Sequence, residues 1–262
     1  MIPYERRLQM LKLLEQKDVV SLEDFCTALN GVSESTIRRD LKTLSAEGQI
    51  TMLRGGGACI KQGSFDAPVN SKTILNVNEK ERIARYASSL VKDGEAIYLD
   101  AGSTVLRMVK YLRNLQITIV TTNILLLREM QENNIDDRNI RCFMVGGEIK
   151  ASTASLVGTT TNNFLRDYYF DRAFIGASGI SLTAGINTPD VREAEKKKIV
   201  KQNSTRTYVL ADSSKSGITT LCKVYELGEV PIICDKQTDL IVNSGNYMGS
   251  KNAGASRHYA HF

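Results

Sequence analysis

The segment from Val32 to Leu41 constrains the fold of this chain more than any other stretch, because its apolar residues recur at the spacing of an α-helix. Ser33 is a good N-cap, since its hydroxyl can accept a hydrogen bond from an unpaired backbone N–H of the first turn. Ile37, Leu41 and Leu44 predict a buried stripe. The opposite face carries three cations and two hydroxyls, at Ser35, Arg38, Arg39, Lys42 and Thr43. This pattern predicts a helix that enters the DNA major groove.

The flanking sequence predicts a winged helix-turn-helix, with the helix-turn-helix at about residues 20–39. The stretch 22–29 has apolar residues at helical spacing and ends at Asn30-Gly31, which is typical of a tight turn between two short helices. The stretch 49–54 alternates polar and apolar residues before three glycines, which predicts a β-hairpin wing. Arg54, near the tip of that wing, is placed to contact a backbone phosphate. The alternative interpretation is an amphipathic surface helix with ordinary charges.

The distribution of charge predicts an oligomer. The formal net charge is +5 over 262 residues, and residues 1–62 contain nine Lys or Arg against eight Asp or Glu. Within residues 35–61, five cations stand against two acidic residues. Because DNA affinity grows with the number of phosphates neutralised, one such head binds DNA only modestly. We therefore expect a homodimer or homotetramer that presents paired recognition helices.

Length and composition predict two domains. We expect a winged helix-turn-helix domain at residues 1–60, a glycine- and serine-bearing linker at 61–77, a second domain at 78–243 and a mobile tail at 244–262. A capping box at Asn78–Glu81 is expected to open the second domain. No leading segment resembles a signal peptide, and no apolar run reaches the about 18 residues of a membrane span. These observations predict a cytoplasmic protein without membrane contact.

Apolar runs alternate with helical patterns beyond Gly94, which predicts an α/β fold with a mostly parallel, Rossmann-like sheet covered on both faces. The predicted strands are 96–99, 117–121, 141–145, 172–175, 207–210 and 240–242. The predicted helices are 104–112, 124–131, 160–167 and 189–202.

Five of the predicted strands end in polar or glycine-rich loops. In open α/β sheets such ends meet at one edge, where ligands bind. Glycine N–H groups, hydroxyls and Lys215 can hold a phosphate, while carboxylates such as Asp100 can hold sugar hydroxyls. The loops together predict a pocket for a small, hydroxylated, anionic molecule, although each alone is also compatible with an ordinary capped turn. They are Asp100–Thr104, Thr121–Asn123, Val145–Glu148, Gly176–Gly179 and Ala211–Lys215.

Other chemistry-bearing residues are interpreted as structural. The cationic run 192–201 follows a strong helix start at Thr188-Pro189-Asp190, and we predict a solvated helical face rather than a second nucleic-acid patch. His258 and His261 lie three residues apart, but no third ligand is near them, so we expect no metal site and no cofactor. Five cysteines without C-x-x-C spacing fit a reducing compartment.

The segment Val32–Leu41 resembles the recognition helix of the DeoR family of bacterial transcription regulators, whose signature V-S-x-x-T-I-R-R-D-L it matches in every specified letter. The family wing ends in R-x-H-G-G-A, whereas Arg54 is followed here by three glycines and Ala58, so the histidine is absent. The resemblance implies DNA contacts by Ser33, Ser35, Thr36, Arg38, Arg39, Lys42, Thr43 and Arg54.

The loops of the second domain resemble the DeoR-type sensor domain, which shares its fold with ribose-5-phosphate isomerase. Val120–Asn123 matches the family motif V-T-x-N, and Ala211–Lys215 matches A-D-x-S-K. The resemblance also implies that the helix containing Glu193 lies beside the effector. It implies a phosphorylated sugar effector held by Asp100, Gly102, Ser103, Thr104, Asn123, Gly146, Gly147, Ser178, Gly179, Asp212 and Lys215.

The resemblance therefore implies a transcription regulator, by default a repressor of a carbohydrate catabolic operon, whose binding to double-stranded operator DNA is controlled by a phosphorylated sugar. The alternative is an enzyme similar to a sugar-phosphate isomerase, with Asp100, Glu148 or Asp212 as the base. That alternative leaves the helix-turn-helix unexplained. The sensor region also contains no histidine that could act as the acid or base of such an enzyme. A structural DNA-binding protein without a sensor leaves the five loops without a purpose.

Overall fold

The computed structural model describes residues 1–17, 19–47, 49–53, 55–60, 72–73, 75–135, 138–243 and 247–249. The chain divides into two compact units, Met1–Leu75 and Asn76–Phe262, which are called here the head and the sensor unit. In the described residues, no helix has the length and apolarity needed to cross a bilayer.

In the described part of residues 1–60, the head contains three helices and a two-stranded antiparallel sheet. Its helices are α1 (Pro3–Gln16), α2 (Leu22–Ala28) and α3 (Glu34–Ala46). Its strands are β1 (Ile50–Met52) and β2 (Ala58–Ile60), and they form the predicted wing.

Helix α3 begins at the predicted cap and buries the predicted stripe. The hydroxyl of Ser33 accepts a hydrogen bond from Thr36 N at 3.3 Å. Ile37, Leu41 and Leu44 belong to a buried core with residues of α1 and α2. This burial stabilises the helix by removing apolar surface from water, at about 1.5–3 kcal/mol per large side chain.

The sensor unit contains a seven-stranded, entirely parallel sheet with strand order β14-β13-β11-β8-β3-β4-β5 among the described residues. Its strands are β3 (Ala96–Leu99), β4 (Ile117–Thr121), β5 (Ile140–Met144), β8 (Phe170–Gly176), β11 (Ser204–Leu210), β13 (Ile232–Cys234) and β14 (Tyr247–Gly249). Separate apolar clusters cover its two faces. The predicted α/β class is therefore confirmed.

Helices and smaller sheets surround this parallel sheet. A hairpin of β6 (Glu148–Lys150) and β7 (Ser155–Val157) precedes a three-stranded antiparallel sheet of β9 (Gly179–Ser181), β10 (Gly185–Thr188) and β12 (Cys222–Tyr225). The helices are α4 (Val77–Ser88), α5 (Ser103–Leu106), α6 (Val109–Leu112), α7 (Leu126–Glu132), α8 (Thr159–Arg166), α9 (Val191–Gln202) and α10 (Asp239–Asn243), with a 3₁₀ turn at Ser213–Lys215.

The predicted single helix 104–112 is wrong, because the structure has the two four-residue helices α5 and α6 instead. At the break, Met108 N donates to Val105 O, and Tyr111 N donates to Met108 O, each at 2.9 Å. These bonds span three residues, so they tighten the backbone and interrupt the regular four-residue pattern.

The predicted strand 240–242 is also wrong, since these residues lie in α10. Ile241 N donates to the hydroxyl of Thr238 at 3.4 Å, so a threonine precedes this helix as a cap does. The neighbouring sheet strand is β13, which starts after Pro231 and was not predicted.

Two further boundaries differ from the prediction. Helix α4 begins at Val77, and the predicted cap Asn78 lies inside it, because Asn76 takes the capping position with a left-handed backbone. Tyr247–Gly249 pairs with β13, so these residues of the predicted tail belong to the sheet. The remainder of that tail, with His258 and His261, lies outside the described residues, as does most of the predicted linker.

Candidate functional site

The solvent-facing side of α3 presents most of the residues predicted to contact DNA. Arg38, Arg39 and Lys42 are exposed, as are Ser33 and Ser35. Thr36 and Thr43 are half-buried, and the hydroxyl of Thr43 donates to Arg39 O at 3.1 Å. Arg54 lies outside the described residues. The described part of this face can therefore supply two guanidinium groups, an ammonium and hydroxyls to a nucleic acid.

The side chain of Arg38 lies between its own helix and the wing turn. Its Nε pairs with Glu34 Oε1 at 2.7 Å, one helical turn earlier. Gly56 has a φ of +89°, and a Cβ atom there would lie 2.8 Å from Arg38 Nη1. Glycine at position 56 therefore allows the wing turn to approach this guanidinium.

In the sensor unit, the five predicted loops follow β3, β4, β5, β8 and β11, which neighbour one another in the parallel sheet. Because parallel strands end at the same edge, the structure brings these loops to one edge. Asp100, Asn123 and Asp212 are buried there, whereas Lys215 is half-buried.

The carboxylate of Asp100 is the centre of a buried polar cluster. It accepts hydrogen bonds from Gly176 N at 3.1 Å and from the Tyr98 hydroxyl at 3.4 Å. It also forms an ion pair with Lys197, and Lys196 Nζ lies 3.6 Å from its Oδ1. Burial and the charge of Asp100 raise the pKa of Tyr98 well above its usual value, so this phenol acts as a neutral donor.

These contacts contradict the predicted solvated face of the 192–201 run. Lys196 and Lys197 are only 0% and 5% exposed, and Glu193 is buried with them. The missed signal was spacing: residues 193, 196, 197 and 200 share one face of α9, and Val200 is in the core. Charged side chains on the stripe of a core residue are buried only when they are paired, as here.

The second carboxylate of this cluster is Glu193. It pairs with Lys196 Nζ at 2.8 Å and accepts the hydroxyl of Ser155 at 2.5 Å. Lys196 Nζ also donates to the Thr122 hydroxyl at 3.2 Å. Burial alone would raise the pKa of Glu193, but the charges of Lys196 and Lys197 outweigh it and lower the value to about 2. Glu193 is therefore ionised at neutral pH and balances the lysines.

Asp212 forms a separate cluster at the carboxyl end of β11. Its Oδ1 accepts hydrogen bonds from Ser214 N at 3.2 Å and from the side-chain amide of Asn76 at 3.1 Å. Burial opposes ionisation, yet the nearby charges of Lys215 and Lys80 keep the pKa of Asp212 below its usual value. Lys215 itself takes part in no ion pair with the described residues. The cluster thus places a buried carboxylate near an ammonium group whose charge acts on it.

Several predicted effector residues have packing roles. A Cβ atom at Gly179 would lie 2.3 Å from Ile218 O, and one at Gly147 would lie 1.9 Å from Thr161 Oγ1, so close packing requires glycine at both positions. Gly146 O accepts the Thr161 hydroxyl at 2.9 Å, and Asn123 Oδ1 accepts Leu125 N at 3.0 Å.

The remaining predicted residues lie in the loops that follow β3 and β8. Ser103 and Thr104 are buried at the start of α5, whereas Gly102 and Ser178 are half-buried. In the described residues, no group of three or more His, Cys, Asp or Glu side chains could hold a metal ion.

Two family models match this chain, one for each unit. The model for the DeoR-like helix-turn-helix domain matches residues 6–63. The model for the DeoR C-terminal sensor domain matches residues 75–236, which is more than half of the chain.

Several curated proteins match this chain in sequence over most of their length. The transcriptional regulator FruR of Bacillus subtilis is 33% identical over 241 residues, which is 92% of this chain and 94% of FruR. GolR of Listeria innocua is 28% identical, over 97% of each chain. The repressor GlcR of B. subtilis is 32% identical over 87% of this chain and 86% of GlcR.

A solved structure of ribose 5-phosphate isomerase A from Methanocaldococcus jannaschii resembles part of the fold. It covers 54% of this chain and 55% of its own, with 24% sequence identity and a TM-score of 0.38. A similarity of this size carries no conclusion about activity.

Proposed function

As a member of the DeoR family, this protein is a DNA-binding transcription regulator and not an enzyme, and we propose that it represses a carbohydrate catabolic operon until a phosphorylated sugar releases it from its operator. In this proposal it acts in the cytoplasm as a homodimer or homotetramer. The paired heads then place two recognition helices in successive major grooves.

Helix α3 carries the DNA-binding half of the proposal. Arg38, Arg39 and Lys42 are exposed on the face opposite Ile37 and Leu41, so they can contact DNA without disturbing the core. Arginine is suited to guanine edges and phosphates because its planar donors can bind two acceptors at once. Ser33, Ser35, Thr36 and Thr43 add hydroxyls, and Arg54 is proposed to add a phosphate contact from the wing.

One observation carries the effector half: Lys215, whose charge acts on the buried Asp212, lies in one of the five loops that follow neighbouring strands at one edge of the sheet. In this proposal, the ammonium of Lys215 binds the phosphate and the carboxylate of Asp212 accepts a sugar hydroxyl. The other proposed contacts come from Asp100, Gly102, Ser103, Thr104, Asn123, Gly146, Gly147, Ser178 and Gly179.

The buried lysines of α9 join this proposed site. Lys196 and Lys197 face Asp100, and their charges are balanced by Asp100 and Glu193. A ligand that rearranges these ion pairs binds the two resulting arrangements of the sensor unit with different affinities. Such a difference is what an effector needs to shift an equilibrium, with coupling of about 1–3 kcal/mol in typical cases.

The test starts from an operator selected by the purified protein from random duplex DNA. Binding of that duplex is then measured with ribose 5-phosphate, fructose 1-phosphate, fructose 6-phosphate and glucose 6-phosphate, and with the unphosphorylated sugars. At least one sugar phosphate is expected to stabilise the protein thermally and to release the DNA, while its parent sugar does neither. Failure of the whole panel, or turnover of a bound sugar phosphate, would refute the proposal.

Lys215→Ala tests the phosphate contact directly. The substitution is expected to weaken binding of the active sugar phosphate by about 1.5–3 kcal/mol, the range for hydrogen bonds to charged groups. Lys223→Ala is the matched control, because Lys223 is an exposed lysine of the same unit that lies in β12 and pairs with Glu226 at 2.9 Å. Isothermal titration calorimetry separates the two variants, and equal affinities would rule out Lys215 as the phosphate ligand.

A further inference from the structure

Asn76 joins the Asp212 loop to the start of helix α4. Its side-chain amide donates to Asp212 Oδ1 at 3.1 Å and to Ser214 Oγ at 3.3 Å. Its carbonyl oxygen accepts Lys80 N at 3.0 Å, which is the first hydrogen bond of the helix. The backbone of Asn76 has a φ of 50° and a ψ of 41°, a left-handed conformation that few residues other than glycine adopt.

The same residue is the first of the sensor unit, and its neighbour Leu75 is the last of the head. The side chain of Leu75 packs against the hydrophobic core of the head. The boundary between the two units falls at these two residues, and each of them makes contacts within its own unit.

The anchor of Asn76 uses atoms that the proposed effector also needs. Asp212 is 2% exposed, and its Oδ1 already accepts the backbone N–H and the hydroxyl of Ser214. Those two donors belong to the same turn and move with Asp212. Asn76 donates from outside the turn, on the same helix whose Lys80 acts on Asp212 through its charge, so a sugar hydroxyl can displace the neutral amide without unfolding the turn.

We propose that Asn76 is a latch: it holds the start of α4 to the Asp212 loop in the free protein, and a sugar phosphate bound at Asp212 and Lys215 displaces it. The released residue adjoins Leu75, so the change at the loop reaches the chain segment that enters the head. This inference rests on the proposed function, because it assigns the route by which the effector acts on operator binding.

Asn76→Gly tests the latch, because glycine keeps the left-handed backbone without strain and removes the amide. The variant behaves as if the effector were already bound, so its operator affinity falls by about fivefold or more. Because the same shift in population favours the effector-binding state, its affinity for the active sugar phosphate rises. A purely structural defect would not produce that gain.

Asn134→Gly is the matched control, since Asn134 also has a φ of 50° but is exposed after α7. It is expected to leave both affinities within about twofold of wild type, a difference far below typical coupling. Asn76→Asp is a second test variant, because a carboxylate facing Asp212 is repelled and aspartate tolerates the left-handed region. It is expected to change both affinities in the same directions as Asn76→Gly.

The outcomes separate the latch from the function on which it rests. Reciprocal changes in both Asn76 variants, absent from Asn134→Gly, support the latch. If the wild type responds to a sugar phosphate and the Asn76 variants respond equally, or lose operator affinity without gaining sugar-phosphate affinity, the latch is wrong and the proposed function stands. If the wild type responds to no member of the panel, the proposed function fails and the latch fails with it.

Discussion

Two buried ammonium groups distinguish the sensor unit at the scale of single residues. Lys196 and Lys197 face Asp100 and Glu193, so two positive and two negative charges share one buried cluster. Pairing compensates for desolvation only while every partner is present. Removal of one member therefore leaves an uncompensated buried charge.

Lys197→Met is expected to destabilise the protein by about 3–5 kcal/mol, because it leaves Asp100 with one partner fewer in a site closed to water. Lys198→Met is the control, since Lys198 is the exposed neighbour on the same helix. Urea unfolding at neutral pH measures the free energy of unfolding of both variants. Equal stabilities for the two variants would show that the buried cluster does not stabilise the fold.

The low pKa of Glu193 predicts a specific pH dependence. The value falls from 4.5 to about 2 on folding, so the ionised carboxylate stabilises the fold fully above pH 4.5 and progressively less as the pH falls toward 2. Wild type is expected to be more stable than Glu193→Gln at pH 7, and the difference in the free energy of unfolding is expected to narrow below pH 4.5. A difference that stays constant from pH 7 to 3 would contradict this assignment.

At the scale of elements, the sequence predicted those helices and strands whose pattern is set by local burial. Ile37, Leu41 and Leu44 predicted the inner face of α3, and the strands 96–99 and 117–121 agree with the structure residue for residue. Short apolar runs were ambiguous: residues 240–242 are compatible with either a strand or a helix until the cap at Thr238 is considered.

The candidate site was less predictable, because partners distant in the chain decide it. Composition favours a solvated lysine run, whereas the tertiary ion pair with Asp100 helps to compensate for the burial of Lys197. Gly147 and Gly179 resemble ligand-binding glycines in sequence, yet their immediate role is to admit Thr161 and Ile218. The loops themselves were predictable because they follow strand ends.

The exposed face of α3 gives the clearest prediction at this scale. The double variant Arg38→Ala/Arg39→Ala is expected to abolish operator binding while the fold is retained, because neither side chain is in the core. Lys12→Ala/Lys17→Ala removes as many cations from exposed positions of the head outside α3. Fluorescence anisotropy with the selected duplex measures the operator affinity of the two double variants. Equal losses would mean that net charge, rather than the recognition helix, determines binding.

At the scale of the whole molecule, the modest charge of the head makes oligomerisation part of the proposed function. Nine cations against eight acidic residues in residues 1–62 leave one head with few net phosphate contacts. Light scattering is expected to give two or four times the monomer mass. The selected duplex is expected to contain two half-sites about 10 base pairs, or a multiple of that distance, apart. A monomer that binds one half-site with full affinity would exclude the paired-helix arrangement.

The strand order of the large sheet also sets when each unit can form during synthesis. The described contacts of the head lie within the first 75 residues, whereas β3 must wait for β8, whose last residue is Gly176, before both of its neighbours exist. Contacts so distant in sequence form slowly, and domains nearer the amino terminus leave the ribosome first. A nonsense mutation between β3 and β8 therefore yields a truncated product that retains α3 but cannot complete the sensor sheet. We expect such a product not to respond to the sugar phosphate.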